Sequence, residues 1–308
     1  MLGVFAKVVR GQHVKTRLQG ALARPEAERF HVCSLADTLE TALRAVETLV
    51  LFLRGGEDPE AVADLRRRLE EVGFDTSSWS RIHLGVQRGA DLGERLERAF
   101  VELCARGSGA SSAGAVDTWS RDSAGNGSPP SPAAGLIIGS DSPSLDARVL
   151  RRGLESLGIQ TRRPAGSLPW AVAAQGSDAP WETHPLQGAD AQQETAGPQA
   201  AESCVPDVVL GPTLDGGYWA IGVRRPHPGL LRDIAWSSRR TLQDTMDRAR
   251  RLGLRLQLLA TWTDVDRPED LHALAGQIAA CRGCGDTLTA RHSEMALREL
   301  GFLKAVDS

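Results

Sequence analysis

No long apolar run, no excess of either charge and no even set of cysteines is present in this chain of 308 residues. The formal net charge of −3 removes the electrostatic case for nucleic acid or an anionic membrane as the main partner. No stretch approaches the ~20 apolar residues needed to span a bilayer. Met1 to Phe5 lead towards Lys7 without the layout of a signal peptide. The five cysteines (Cys33, Cys104, Cys204, Cys281, Cys284) are scattered, which suits a reducing compartment better than a disulfide framework. Cys281-Arg282-Gly283-Cys284 has zinc-like spacing but only His292 follows it, and the histidines show no ligand spacing. Neither a nucleophile elbow nor a phosphate loop of the G-x-x-x-x-G-K-[ST] type occurs. The expectation is a soluble cytoplasmic protein large enough for one α/β domain or two smaller ones.

What the chain does have is a repeated alternation. Leu2 to Lys7 predicts an opening strand, and Pro25 to Leu43 an amphipathic helix with Ala27, Phe30, Leu35, Leu39 and Leu43 inward. Val46 to Leu53 predicts a strand, Pro59 to Val72 a helix, Ile82 to Val86 a strand and Glu94 to Cys104 a helix. Strand, glycine-containing loop and helix in succession argue for parallel βαβ units. Two stretches interrupt the rhythm, 107–134 and 162–203. Both are rich in Gly, Ser, Ala, Pro or Gln and bury too little apolar surface to offset the entropy of ordering. The alternation resumes after each, so they read as insertions in loops of one domain spanning 1–280, with 281–308 a C-terminal tail of weak helical character near Glu294 to Leu300. They adjoin the strands that lead to Asp141 and Asp215, where they could shield a site or bind a partner.

The stretch Leu136-Ile137-Ile138-Gly139-Ser140-Asp141-Ser142-Pro143 carries the most information. An apolar strand stops at a glycine, a carboxylate follows, Pro143 prevents the strand from continuing, and Asp146 to Leu157 predicts a helix. In open α/β sheets ligands bind at the carboxyl ends of strands, which is where Asp141 would lie. Asp207 to Pro212 repeats the design and leads to Thr213-Leu214-Asp215-Gly216-Gly217, a turn signal, with Tyr218 to Val223 the returning strand. Leu230 to Ile234 predicts a short helix, Trp236-Ser237-Ser238 a cap for a helix over Arg239 to Leu252, and Arg255 to Thr261 a last strand. Then come Asp264, Asp266 and Glu269 and a helix to about Ala280. Magnesium and manganese take hard oxygen ligands and are usually held by one or two carboxylates together with substrate phosphates, which this set of acidic turns could supply. Each acidic turn alone is more often simply a turn. The loop from Val8 to Leu18 gathers four basic side chains and a glycine, a composition that serves either a solvated loop or a phosphate-binding one.

In combination these motifs resemble the DUF2064 family of GT-A-type transferases, also called radical-SAM/selenodomain-associated transferase 1 and related to the 2-phospholactate guanylyltransferases. The resemblance runs through Phe5-Ala6-Lys7, Val14-Lys15-Thr16-Arg17-Leu18, Gln87 to Arg95, Ile138 to Pro143 and Leu210-Gly211-Pro212 with Asp215 to Tyr218. Trp236-Ser237 and Asp264-Val265-Asp266 with Pro268-Glu269-Asp270-Leu271 complete it. It implies a GT-A fold, a Rossmann-like, nucleotide-diphospho-sugar transferase architecture with a mainly parallel sheet and helices on both faces. It further implies Lys7, Lys15, Arg17, Gln87, Gly89, Leu92 and Gly93 as nucleotide-binding residues. Asp141, Asp266 and Glu269 would be ligands of Mg2+ or Mn2+, Asp141 and Asp215 catalytic, and Gly216, Gly217, Tyr218, Trp236 and Ser237 the acceptor side. In one place the chain departs from the family pattern. Members usually carry prolines and a glycine between Phe-Ala-Lys and Lys-Thr-Arg, where this chain has Val8-Val9-Arg10-Gly11-Gln12-His13, which predicts a less rigid loop.

Three functions suit these residues. The first is a metal-dependent glycosyltransferase using a nucleotide-activated sugar and a small-molecule acceptor. The second is a nucleotidyltransferase joining a nucleoside triphosphate to a phosphorylated acceptor. The third is a non-catalytic nucleotide-binding protein.

Overall fold

The structure, a computed structural model, describes residues 1–107, 133–162, 205–283 and 290–304. Both insertions, apart from their ends, lie outside the described residues, as do Cys204 and Cys284. The described residues within Met1–Arg162 and Pro206–Ser308 form one compact unit.

In chain order the elements are β1 (Leu2–Lys7), α1 (Arg24–Ala45), β2 (Leu49–Arg54), α2 (Pro59–Glu71), β3 (Ile82–Val86), α3 (Leu92–Gly107), β4 (Gly135–Gly139) and α4 (Ala147–Ser156). They continue with β5 (Val208–Pro212), β6 (Tyr218–Val223), α5 (Thr241–Arg251), β7 (Leu256–Leu258), α6 (Pro268–Gly283) and α7 (Arg291–Glu299). The strands form one seven-stranded sheet in the order β3-β2-β1-β4-β6-β5-β7. β1 pairs in parallel with β2 and β4, and β5 with β7, whereas β6 runs antiparallel to both β4 and β5. The sheet is therefore mixed but mainly parallel.

The strands read as unbroken apolar runs because helices cover both faces of the sheet. Along β2, Leu49, Leu51 and Leu53 join the core shared with α1, α2, α4, α6 and α7. The alternate residues Val50 and Phe52 join a second core, with Leu96, Phe100 and Leu103 of α3 and Ala249 of α5. Each such side chain fully buried contributes about 1.5–3 kcal/mol to folding.

α1 differs from the amphipathic helix expected. Every residue from His31 to Leu39 is buried, because α7 packs on the side of α1 turned away from the sheet. The join is polar: Asp37, fully buried, accepts hydrogen bonds from the backbone N–H of His292 (2.9 Å) and Ser293 (2.8 Å) at the start of α7. The segment read as a tail thus supplies a helix to the core. The helix expected over Leu230 to Ile234 is replaced by turns, since Gly229 (φ 82°) and Asp233 (φ 58°) take left-handed backbone angles that a helix cannot accommodate. β2 starts at Leu49, three residues later than expected, and β7 is shorter than Arg255 to Thr261.

The parallel strands all end at one edge of the sheet, where the site lies. The described ends of the insertions leave from the opposite edge: Gly107 closes α3 beside Ala133, and the backbone N–H of Arg162 meets the carbonyl of Ala45 just before β2. Cys33, Cys104 and Cys281 are free thiols, and burial pushes Cys33 up to about 12 and Cys104 up to about 11. Among the described residues no helix is long and apolar enough to cross a membrane.

Candidate active site

Three carboxyl-end turns build the site. The turn after β4 presents Asp141 between the buried Ser140 and Ser142, with Pro143 closing off the strand. The turn after β7 is locked onto it: the N–H of Val265 donates to the carbonyl of Asp141 at 2.8 Å, and Ser142 Oγ donates to Asp264 Oδ1. Trp262 Nε1 donates to Ser144 Oγ at 3.2 Å, a second tie between the same two turns. Asp270 in the first turn of α6 accepts from the N–H groups of Asp266 (2.9 Å) and Arg267 (2.7 Å), which holds Asp266 at the helix start.

The third turn is the basic loop after β1. It lacks the prolines of the family pattern and is anchored instead by the burial of Val8, Val9, Val14 and Leu18. Lys15 takes a left-handed backbone conformation (φ 47°, ψ 39°), rare for a residue with a side chain and typical of functional sites. Its side chain, 3% exposed, reaches Asp141 Oδ1 at 2.6 Å, Asp266 Oδ1 at 3.3 Å and the carbonyl of Val265 at 2.5 Å. Arg17 Nη1 approaches Asp266 Oδ2 at 3.6 Å.

The charges perturb one another strongly. Burial alone would raise the pKa of Asp141, but the Lys15 ammonium, followed by His31, holds it below the usual carboxylate range. Burial would likewise lower Lys15, and Asp141 and Asp266 outweigh it, so its pKa is raised. Asp264 is pushed up to about 7 by burial, with Asp141 and Asp266 adding to the effect. Lys7, half-buried at the end of β1, is lowered by burial while Asp141 pulls the other way. The backbone behind the site is held by α1, where Ser34 Oγ donates to the carbonyl of Ser140 (2.7 Å) and His31 Nε2 meets the carbonyl of Lys7 (3.1 Å).

Lys15, Arg17, Asp141 and Asp266 are therefore brought together with Asp264, and Lys7 lies within electrostatic reach. Glu269 is exposed in the first turn of α6, and no described contact ties it to the other carboxylates. Among the described residues no group of three or more His, Cys, Asp or Glu side chains is disposed to hold a metal by itself. Asp141 and Asp266 nevertheless fit a divalent cation in the way magnesium is commonly held. Both are hard oxygen donors, their side chains are 43% and 37% exposed, and substrate phosphates would complete the shell.

The remaining residues divide by what their side chains touch. Gln87 donates from Nε2 to the carbonyls of Ala6 (2.8 Å) and Phe52 (2.9 Å), so its amide nitrogen ties strand ends together. Leu92 packs on the second core. Gly89 (φ 147°) lets the loop turn against Glu94, and a Cβ on Gly93 would lie 2.5 Å from the carbonyl oxygen of Leu231 and 3.1 Å from the Trp236 ring. The Gln87–Gly93 loop thus adjoins the segment that carries Trp236. Trp236 meets Tyr218 edge to face at 6.5 Å between ring centroids. The Tyr218 hydroxyl is turned into the protein towards Thr245, and burial raises its pKa. Asp215 Oδ1 accepts from Thr213 Oγ1 (2.6 Å) and the Gly217 N–H (3.0 Å), which shapes its own turn. Ser237 is exposed with φ 59°.

Gly216 joins the Asp215 turn to the segment that follows Trp236. With φ 90°, a Cβ there would lie 2.2 Å from the carbonyl oxygen of Arg239, and the Gly216 carbonyl accepts from the N–H of Leu242 at 2.9 Å. Gly216→Ala is expected to lose at least about 2 kcal/mol of stability, measured by urea unfolding, because backbone has to move apart.

Asp264 stands in an acidic turn visible in the sequence, whereas Ser34 and His31 were not among the expected site residues. Their signal is a polar stripe, His31, Ser34 and Thr38, on a helix face that should be apolar.

No curated protein matches the chain. Among solved structures, a provisionally named nucleotide-diphospho-sugar transferase from Desulfovibrio desulfuricans G20 is 19% identical, with a TM-score of 0.62 over 97% of this chain and 96% of that one. A cytidylyltransferase from Leptospira borgpetersenii is 11% identical at a TM-score of 0.40, covering 100% of this chain and 98% of that one. Rv0371C of Mycobacterium tuberculosis in complex with manganese is 14% identical at 0.37, covering 89% of this chain and 96% of that one. The first likeness shows the fold, and the other two are too distant to carry an argument. The family described as "Uncharacterized protein conserved in bacteria (DUF2064)" matches residues 169–238, of which 205–238 are β5, the Asp215 turn, β6 and the Trp236 segment. The DUF2064 likeness is thus carried by residues 169–238 of this chain, and the fold is that of the nucleotide-diphospho-sugar transferase structure.

Proposed function

We propose that the protein is a metal-dependent transferase of the GT-A type, using a nucleotide-activated sugar as donor and a small molecule as acceptor. The observation that carries this reading is the meeting of Lys15, from the loop after β1, with Asp141 and Asp266 at the carboxyl edge of the sheet. Asp141 and Asp266 would hold Mg2+ or Mn2+, while Lys15 and Arg17 would pair with the phosphates of the nucleotide. The ion would supply positive charge against the leaving diphosphate as its bond to the sugar breaks. Among the described residues Asp215 engages only Oδ1, in its own turn, and Oδ2 would take the proton from the acceptor hydroxyl as the new bond to the sugar forms. The Gly216–Tyr218 turn and the Trp236 segment would position that acceptor.

A second reading, nucleotidyl transfer from a nucleoside triphosphate to a phosphorylated acceptor, is favoured by the same Lys15 and Arg17, which could serve a triphosphate equally well. The two differ in their products. Turnover of sugar nucleotides with release of a nucleoside phosphate supports the first, and release of pyrophosphate from triphosphates with phosphorylated acids supports the second. Metal-dependent nucleotide binding without either product would leave a binding protein.

A further inference from the structure

Lys15 and the two carboxylates stand in an arrangement that the roles assigned to them cannot share. An ammonium has three N–H donors. Those of Lys15 face three acceptors, Asp141 Oδ1, the carbonyl of Val265 and Asp266 Oδ1. None is left for a phosphate. Conversely, Asp141 and Asp266, the two carboxylates a divalent cation would take, already carry a buried positive charge between them. With only 3% of its side chain exposed, that charge is little screened by water.

We infer that Lys15 holds the cation position between Asp141 and Asp266 until phosphate draws it away, so that metal and nucleotide bind together and a divalent cation alone binds weakly. The inference rests on the metal–nucleotide reading above and adds an order of events to it. Phosphate oxygens offer Lys15 replacement acceptors, and its departure frees two hard oxygen ligands at the moment an ion can also coordinate the phosphate. The ammonium is thus a competitor of the metal in the free protein and a partner of the nucleotide in the loaded one. The exchange can be made by the side chain, because Val14 and Leu18 on either side are buried and pin the backbone of the loop. The reciprocity required by linkage makes nucleotide raise metal affinity by the same factor that metal raises nucleotide affinity.

The test measures binding of Mn2+ alone, by electron paramagnetic resonance of the free ion, to the wild-type chain, Lys15→Met and Lys15→Arg. Removing the resident charge is expected to tighten Mn2+ at least about ten-fold in Lys15→Met, within the usual range of site–site coupling, whereas Lys15→Arg stays near wild type. The double variant Lys15→Met/Asp141→Asn is expected to lose the gain, which assigns it to this pair of carboxylates. Unchanged or weaker Mn2+ binding in a folded Lys15→Met overturns the inference. Should Lys15→Met fail to fold, Lys15→Gln carries the same comparison through the rise in melting temperature with added Mn2+. The metal–nucleotide reading fails separately, if the wild-type chain shows no thermal shift with any nucleoside diphosphate or triphosphate in the presence of Mn2+.

Discussion

Asp141→Ala is expected to abolish metal-dependent nucleotide binding while the protein stays folded. The fold is spared for specific reasons. The tie between the two site turns runs through the backbone carbonyl of Asp141 and through Ser142 to Asp264, neither of which the substitution removes. Lys15 keeps the carbonyl of Val265 and Asp266 as partners. Binding is lost because the site would then offer a single carboxylate to the cation. Loss of a partner outside the first coordination sphere costs ~10–100-fold in metal affinity. Removing a direct ligand should exceed that. Calorimetric titration of nucleotide with magnesium, set beside unchanged circular dichroism, is the measurement. Binding of normal strength in the variant would remove Asp141 from the site.

Asp37→Ala is the substitution expected to cost most stability. It leaves two buried N–H groups of α7 without acceptors and opens a space between α1 and α7. Each unsatisfied group costs about 1–3 kcal/mol, so a total of roughly 2–6 kcal/mol is expected from urea unfolding. The same junction sets a pH dependence. Burial raises Asp37 to about 6, above its unfolded value. Burial opposes the charge on His292, but Glu40 at 2.9 Å from Nε2 outweighs it and holds the imidazolium above its ordinary pKa. Both shifts have one sign: the folded state binds protons more tightly, so their contribution falls as pH rises. The melting temperature should therefore decline as pH rises through about 6, where Asp37 ionises, and on above the ordinary imidazole range as His292 loses its proton, the second part being absent in His292→Gln. A decline of equal size in that variant would place its origin elsewhere.

The strands and most helices were legible because they obey simple patterns. Runs such as Leu49 to Leu53 are apolar at every position since both faces of the sheet are covered, and β1 and β3 fall where they were expected. The edge carrying Asp141 followed from the rule for open α/β sheets. The second face of α1 was not legible, since its cover arrives from a helix more than two hundred residues later in the chain. Side-chain direction was equally out of reach. Gln87 and Leu92 sit in the loop that the resemblance assigns to nucleotide, yet one ties strand ends and the other packs inward. Asp264 belonged to a visible acidic cluster, but its place beside Ser142 depends on how two distant turns dock.

The edge from which the insertions depart has a consequence for how such a chain can diversify. The ends at Gly107 and Ala133 and at Arg162 and Pro206 open on the side of the sheet remote from Asp141. Chain can be added or deleted there without altering the register of β4 against β1, on which the position of Asp141 depends. The molecule keeps its growth points and its chemistry at opposite poles.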